Sequence, residues 1–282
     1  MVKYILLLRP KQWIKNVLIC LGPLGAGLLT TTDSYYKAFF GVVVFTLASG
    51  FVYIVNDTFD VKRDQSHPTK VNRPIASGAV TIRKGLIFGG FLLFILFLLL
   101  RTLTSNQFLW IMFYLLTNFI YSLGLKKVPI IEMFVVSMGY IIRVLFGASL
   151  FDIKASNWLL LCILTGSFGL IAAKRYSELL RVETYSLEIK REVLGNYSLG
   201  GLQSIYKFSW YSTFATYSIW TLEKNVYSIN ALGACTSVFL ILVLLLQSIE
   251  KGELEQPEDL ILRPTVWILG MCWVTFLIGL VA

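Results

Sequence analysis

Apolar residues in this chain fall into nine long runs, near 13–31, 36–56, 85–101, 108–124, 128–148, 156–173, 208–222, 229–248 and 262–281. A bilayer core about 30 Å thick takes about 20 mostly apolar residues per helix, so each run is read as a membrane span. The expected fold is all-α: a polytopic bundle of about nine transmembrane helices, 1–282 forming one domain. With 56% hydrophobic and 15% charged residues, a soluble enzyme and a disordered chain are both excluded. Only Leu125, Lys126 and Lys127 separate the fourth and fifth runs, which predicts a tight hairpin. The seventh run is short and rich in Ser and Thr.

Charge gives the orientation. Twenty of the 25 Lys and Arg residues lie in the N-terminal segment and in alternate connections, against four on the other side and Arg143 within a run. By the positive-inside rule the N-terminus and the polar loops 57–84 and 174–207 are cytosolic and the C-terminus is outside. The expected location is the cell membrane, with the active site facing the cytosol. The net charge of +9 then points to orientation and anionic ligands, and no nucleic-acid partner is expected. The four cysteines, Cys20, Cys162, Cys235 and Cys272, lie in apolar runs without CxxC spacing and are read as packing residues. The apolar stretch Ile5–Leu8 is too short for a cleavable signal peptide.

The polar residues cluster where the second run ends, at Asn56-Asp57-Thr-Phe-Asp60-Val-Lys-Arg-Asp64. On a continuous helix Asp57, Asp60 and Asp64 share one face. Three adjacent anions need a cation, and hard oxygen donors suit Mg²⁺ shared with substrate phosphates. Cations follow at Lys70 and Arg73, bracketed by Pro68 and Pro74, so that they can fold back over a metal-bound diphosphate. The sole histidine, His67, makes neither a zinc site nor a triad.

The pattern Asn56-Asp57-x-x-Asp60-x-x-x-Asp64 at the cytosolic end of the second span resembles the first aspartate-rich motif of the UbiA intramembrane prenyltransferases. That resemblance implies a UbiA-like bundle with cytosolic helical loops capping the active site. It also implies a diphosphate substrate bound through Mg²⁺ (Mn²⁺ able to substitute) at Asn56, Asp57, Asp60 and Asp64, the three aspartates being catalytic. Where aromatic prenyltransferases of the superfamily carry a second aspartate-rich motif, this chain has Lys174-Arg175-Tyr176-Ser177-Glu178. Bases in place of acids favour direct phosphate contacts over a second metal. RPKQWIKN from Arg9, NDTFDVKRDQSHPTKVNRPIASG from Asn56, KRYSE from Lys174 and Gln256-Pro257-Glu258-Asp259 resemble a narrower group, the decaprenyl-phosphate phosphoribosyltransferases of arabinan synthesis in mycobacterial-type cell walls.

This second resemblance implies 5-phosphoribosyl diphosphate as donor and a polyprenyl monophosphate as acceptor. Lys70, Arg73, Lys174, Arg175, Tyr176 and Glu178 are then donor-binding residues. Arg9, Lys11 and Lys15 are candidates for the acceptor phosphate, although the sequence does not separate them from donor-binding residues. Glu132 and Arg143, eleven residues apart in the fifth run, are intramembrane charges and functional candidates, too far apart along a helix to pair. An aromatic prenyltransferase using an isoprenyl diphosphate and a lipid transporter or flippase are the rival readings. Acceptor length and a homo-oligomeric state are left open.

Overall fold

The computed structural model describes residues 2–66, 70–185, 192–224, 228–250 and 263–281. His67, Pro68 and the Gln256–Asp259 segment lie outside them. Eight long helices make up the bundle: α1 (Thr32–Phe59), α2 (Ile82–Leu100), α3 (Ser105–Leu123), α4 (Ile131–Leu150), α5 (Asn157–Thr184), α6 (Leu199–Lys224), α7 (Ile229–Glu250) and α8 (Pro264–Val281). Among the described residues there is no strand. Six of these helices (α1, α2, α4, α5, α7 and α8) are long and apolar enough to cross a bilayer. Helices α3 and α6 have the length but carry more polar side chains.

Local sequence sets several starts. Thr31 accepts from the Ser34 amide and Thr104 from the Gln107 amide, each completed as a capping box; Thr81 accepts from the Lys84 amide. Outward faces are apolar, with Phe39, Phe91, Phe94, Phe97, Trp267 and Met271 all exposed. Serines, asparagines and charges such as Ser49, Asn16, Glu132 and Arg175 are buried inside. That inversion suits a lipid solvent, in which polar groups must be satisfied within the protein.

Most consecutive helices pack as neighbours, α3 lying against α1 and α4, and the ring closes where the short helix Leu21–Gly25 meets α8. Leu24 packs there on the cluster that includes Leu277. The expected first span, 13–31, is not a regular α-helix. Its chain forms a 3₁₀ helix over Pro10–Cys20 followed by Leu21–Gly25, which end to end rise about 30 Å. Tertiary partners hold this unusual winding: Asn16 Nδ2 donates to Thr46 Oγ1 at 3.0 Å and accepts at Oδ1 from Arg143 Nε at 2.9 Å. A glycine is required opposite it, because a Cβ at Gly147 would collide with the Ile19 carbonyl.

Two boundaries also differ from the sequence reading. Helix α5 continues to Thr184, so Lys174 and Arg175 lie inside a helix and not in the expected 174–207 loop. Helix α6 begins at Leu199, nine residues before the expected run. Hydropathy ends a span where charges begin, but a backbone hydrogen-bond ladder does not stop there.

Candidate active site

Helix α1 ends at Phe59, and Asp60 caps it (φ −95°, ψ 5°) before the short helix Val61–Gln65. That break rotates Asp60 off the face expected to hold three carboxylates. Asp57 and Asp64, both almost fully buried, converge on one cation: Arg73 Nη1 lies 3.1 Å from Asp57 Oδ1 and 2.6 Å from Asp64 Oδ2. Arg9 also donates to Asp57, and its guanidinium stacks 4.8 Å from the centre of the Tyr53 ring. Asp60 turns to Lys126 Nζ at 2.7 Å and Arg63 Nη2 at 2.9 Å. Asn56 accepts from Ser122 of α3. Among the described residues no three His, Cys, Asp or Glu side chains converge as a metal cluster. The Asp57–Asp64 pair nevertheless fits a divalent cation, because it already brackets one positive centre and Asp64 Oδ1 is buried without a hydrogen-bond partner. Burial and the adjacent Arg9 charge push the Arg73 pKa down, while Asp57 and Asp64 pull it back up.

Beside this cluster lies a cavity of about 820 Å³. Its lining includes Arg9, Lys11 and Lys15 from the N-terminal segment, Lys70 and Arg73, Arg143 of α4, and Lys174, Arg175 and Glu178 of α5. Eight cationic side chains thus face the cavity against a single carboxylate, that of Glu178. Tyr53, Tyr114, Asn118, Tyr121 and Tyr140 supply neutral polar groups. The lining is also apolar in part: Leu170 and Ile171 of α5, one turn before Lys174 and Arg175, with Ile241, Leu244 and Leu245 of α7 and Val266 of α8. Such a space suits a polyanion together with hydrocarbon.

Glu132 has no exposed surface, and its partner is Arg175, not Arg143. Arg175 Nε and Nη2 grip its two oxygens at 2.6 and 2.9 Å, and Arg175 Nη1 reaches Glu178 at 3.0 Å. A classic γ-turn sets this up: Ile130 has φ 65°, ψ −49°, with the Ile131 amide donating to the Pro129 carbonyl at 2.7 Å. The guanidinium fork expected to hold donor phosphate therefore faces a carboxylate. Tyr176 packs edge-on against Tyr206, 5.5 Å between centres, in the α5–α6 core and not on the cavity. Lys126, read in the sequence only as a hairpin charge, contacts the carboxylate cluster. Asn16 was legible as the last residue of RPKQWIKN without a partner assigned to it, and Asn118 only as a polar residue among apolar ones.

The fold is a helical bundle with membrane-spanning helices and a cation-lined cavity beside buried aspartates. The chain belongs to the UbiA prenyltransferase family, whose model matches residues 18–261. It is 33% identical to decaprenyl-phosphate phosphoribosyltransferase of Mycobacterium tuberculosis, covering 95% of this chain and 90% of the relative. It is 30% identical to the protein of the same name from Corynebacterium glutamicum, covering 95% and 83%. Among solved structures, a UbiA homologue from Archaeoglobus fulgidus bound to GPP and Mg²⁺ superposes with a TM-score of 0.73 at 16% identity, over 99% of both chains.

Proposed function

We propose that this protein transfers 5-phosphoribose from 5-phosphoribosyl diphosphate to a polyprenyl monophosphate, decaprenyl phosphate by analogy with its relatives, releasing diphosphate and leaving the phosphoribosyl lipid as a cell-wall arabinan precursor. The observation that carries this reading is the cavity wall of eight cations and one carboxylate. An isoprenyl diphosphate offers such a wall two phosphates and a hydrocarbon, whereas the phosphoribosyl donor offers three phosphates and a polar ring. The apolar lining from Leu170 to Val266 is left for the acceptor's prenyl chain.

The bond from C1 of the ribose to the diphosphate oxygen breaks, its electron pair leaving with diphosphate. A bond forms from C1 to an oxygen of the lipid phosphate arriving on the opposite face. That oxygen is anionic near neutral pH, so no strong general base is required. Asp57 and Asp64 are the residues that would hold Mg²⁺, Mn²⁺ serving in its place, with Asn56 and Asp60 beside them. The ion would neutralise charge on the leaving diphosphate. Arg9, Arg73, Lys70 and Lys174 bind the phosphates of the donor; Glu132 and Glu178 hold Arg175 in place. Lys11 meets the acceptor phosphate, and Lys15 adds positive charge to the same cavity. The whole chain acts as one domain with nine membrane crossings, including the 3₁₀ segment.

The direct test is a mass spectrum of the lipid formed by the detergent-purified protein. With phosphoribosyl diphosphate, decaprenyl phosphate and Mg²⁺, a phosphoribosyl lipid is expected. A prenylated product from isoprenyl diphosphate and 4-hydroxybenzoate, with none from the first mixture, would move the protein to the aromatic prenyltransferases. Product in detergent without a gradient sets aside pure transport.

The charge asymmetry supports a cytosolic site in the cell membrane. In a protein whose native cysteines are replaced, Ser66→Cys is expected to be shielded from an impermeant thiol reagent in intact cells, and Thr102→Cys, at the other end of the bundle, to react. The reverse labelling pattern would invert the topology.

A further inference from the structure

The group the mechanism leaves unused is Arg143. Its side chain is only 4% exposed, yet it lines the cavity. Its hydrogen-bond partners are all neutral: Nε donates to Asn16 Oδ1 at 2.9 Å, Nη1 to the Gly139 carbonyl at 2.6 Å, and Nη2 to the Tyr114 hydroxyl at a long 3.4 Å. The rings of Phe45 and Tyr114 lie 4.7 and 5.1 Å from its Cζ. No described carboxylate pairs with it. A guanidinium has five N–H donors, so donors remain beyond these three bonds, and its charge is buried without an opposite charge. Such a charge is expensive inside a membrane protein and is kept where an anion comes to meet it.

The surroundings are arranged to hold that fork still. Asn16, itself 1% exposed, is oriented by its bond to Thr46, so its oxygen is aimed at Arg143. Lys15, over the Tyr140 ring at 5.5 Å, adds a second positive charge to the same cavity. The bond to Gly139 folds the guanidinium back by one turn of α4, about 10 Å along the axis from Glu132, where Arg175 is anchored. With Arg175 closed around Glu132, Lys174 beside it supplies the cation at that level, so the cavity carries cations at two levels, which suits an anion with charge at both ends.

We propose that Arg143, ordered by Asn16, Tyr114 and the Gly139 carbonyl, is the buried subsite for a phosphate monoester, and that it takes the phosphate on C5 of the donor. This rests on the phosphoribosyl-transfer reading above and adds to it the group that reads the donor's far end. Two monoesters take part in that reaction, and geometry favours the donor's. Among the described residues Arg143 abuts the rings of Phe45 and Tyr114, which belong to a buried core with Ile142 and Phe146. A lipid phosphate seated there would run its tail back through the space the sugar must fill, whereas a C5 phosphate is terminal and needs no exit. The same charge explains selectivity: a prenyl chain in this position would bury hydrocarbon against an unmet guanidinium.

The test pairs a residue change with a substrate change. In the unmodified enzyme, ribosyl diphosphate lacking the C5 phosphate is expected to lose about ten- to hundredfold in kcat/KM. Arg143→Met should lose about as much with the full donor and show little further loss with the truncated one, the acceptor KM staying unchanged. Ribose 5-phosphate should compete with the donor in the unmodified enzyme and about tenfold or more weakly in Arg143→Lys, which keeps the charge without the fork and covers the case in which Arg143→Met does not fold. If the unmodified enzyme uses both donors equally, or ribose 5-phosphate competes equally in Arg143→Lys, the subsite is overturned while the transfer reaction stands. A rise confined to acceptor KM reassigns Arg143 to the lipid phosphate and overturns the donor assignment. Failure of the unmodified enzyme to use phosphoribosyl diphosphate at all overturns the parent reading, and this subsite with it.

Discussion

Asp57→Ala is expected to lower turnover by about 10²–10⁴-fold, since neutralising a leaving diphosphate is worth several kcal/mol. Asp57 is 2% exposed and is the point at which Arg9 and Arg73 meet. On the proposed reading its loss removes a metal ligand and frees Arg9 and Arg73, the two cations assigned to donor phosphate. Asp64→Ala should fall in the same range, because Asp64 shares the Arg73 nitrogen with Asp57 and holds the buried, unpaired oxygen. Asp60→Ala should cost less, as its carboxylate faces Lys126 and Arg63. The series is measured as kcat against Mg²⁺ concentration, after EDTA has abolished activity and Mg²⁺ or Mn²⁺ has restored it. Equal losses at all three positions would return Asp60 to a three-carboxylate site, and full activity in Asp57→Ala would remove the cluster from the chemistry.

The ranking of those aspartates could not be drawn from spacing. Periodicity places 57, 60 and 64 on one face only if the helix runs through them, and it ends at Phe59. What spacing does carry is the location of the cluster, since apolar runs fix where helices cross and therefore which loops share an end. Centres of the long helices were legible for that reason. Their ends were not: α5 runs ten residues past Lys174 because its ladder and its packing on α6 continue. The 3₁₀ winding of Pro10–Cys20 was invisible because its determinants, Thr46, Arg143 and Gly147, lie on other elements. Arg175 was legible as a base where the resemblance to aromatic prenyltransferases implied acids, but its partner is 43 positions away on α4. Pairings of that kind depend on the register between two helices, which no single stretch of sequence encodes.

Glu132→Ala is accordingly expected to be the most disruptive single change in the bundle. The Glu132–Arg175 pair is buried on both sides, with 0% and 4% of the side chains exposed. Removing Glu132 opens the bidentate grip and leaves the buried guanidinium its single bond to Glu178, so the loss is expected at or below the low end of the about 3–5 kcal/mol for a stranded buried charge. The variant should therefore show lower thermal stability in detergent as well as little transfer. Replacing both members by apolar residues, Glu132→Leu with Arg175→Met, removes the stranded charge and should recover most of the stability. Activity separates the roles of the pair. If Arg175 acts only as a strut that keeps Lys174 and Glu178 in register on α5, the double variant should regain turnover with its stability. If the guanidinium also reaches donor phosphate, stability returns while donor KM stays raised by about ten- to hundredfold, the range for a lost charge-assisted contact. The bidentate grip on Glu132 favours the first outcome, because the edge of Arg175 best shaped for a phosphate is the one already closed around a carboxylate. A single Glu132→Ala variant with unchanged stability would show that Arg175 finds its anion elsewhere, and would make Glu132 dispensable to the site.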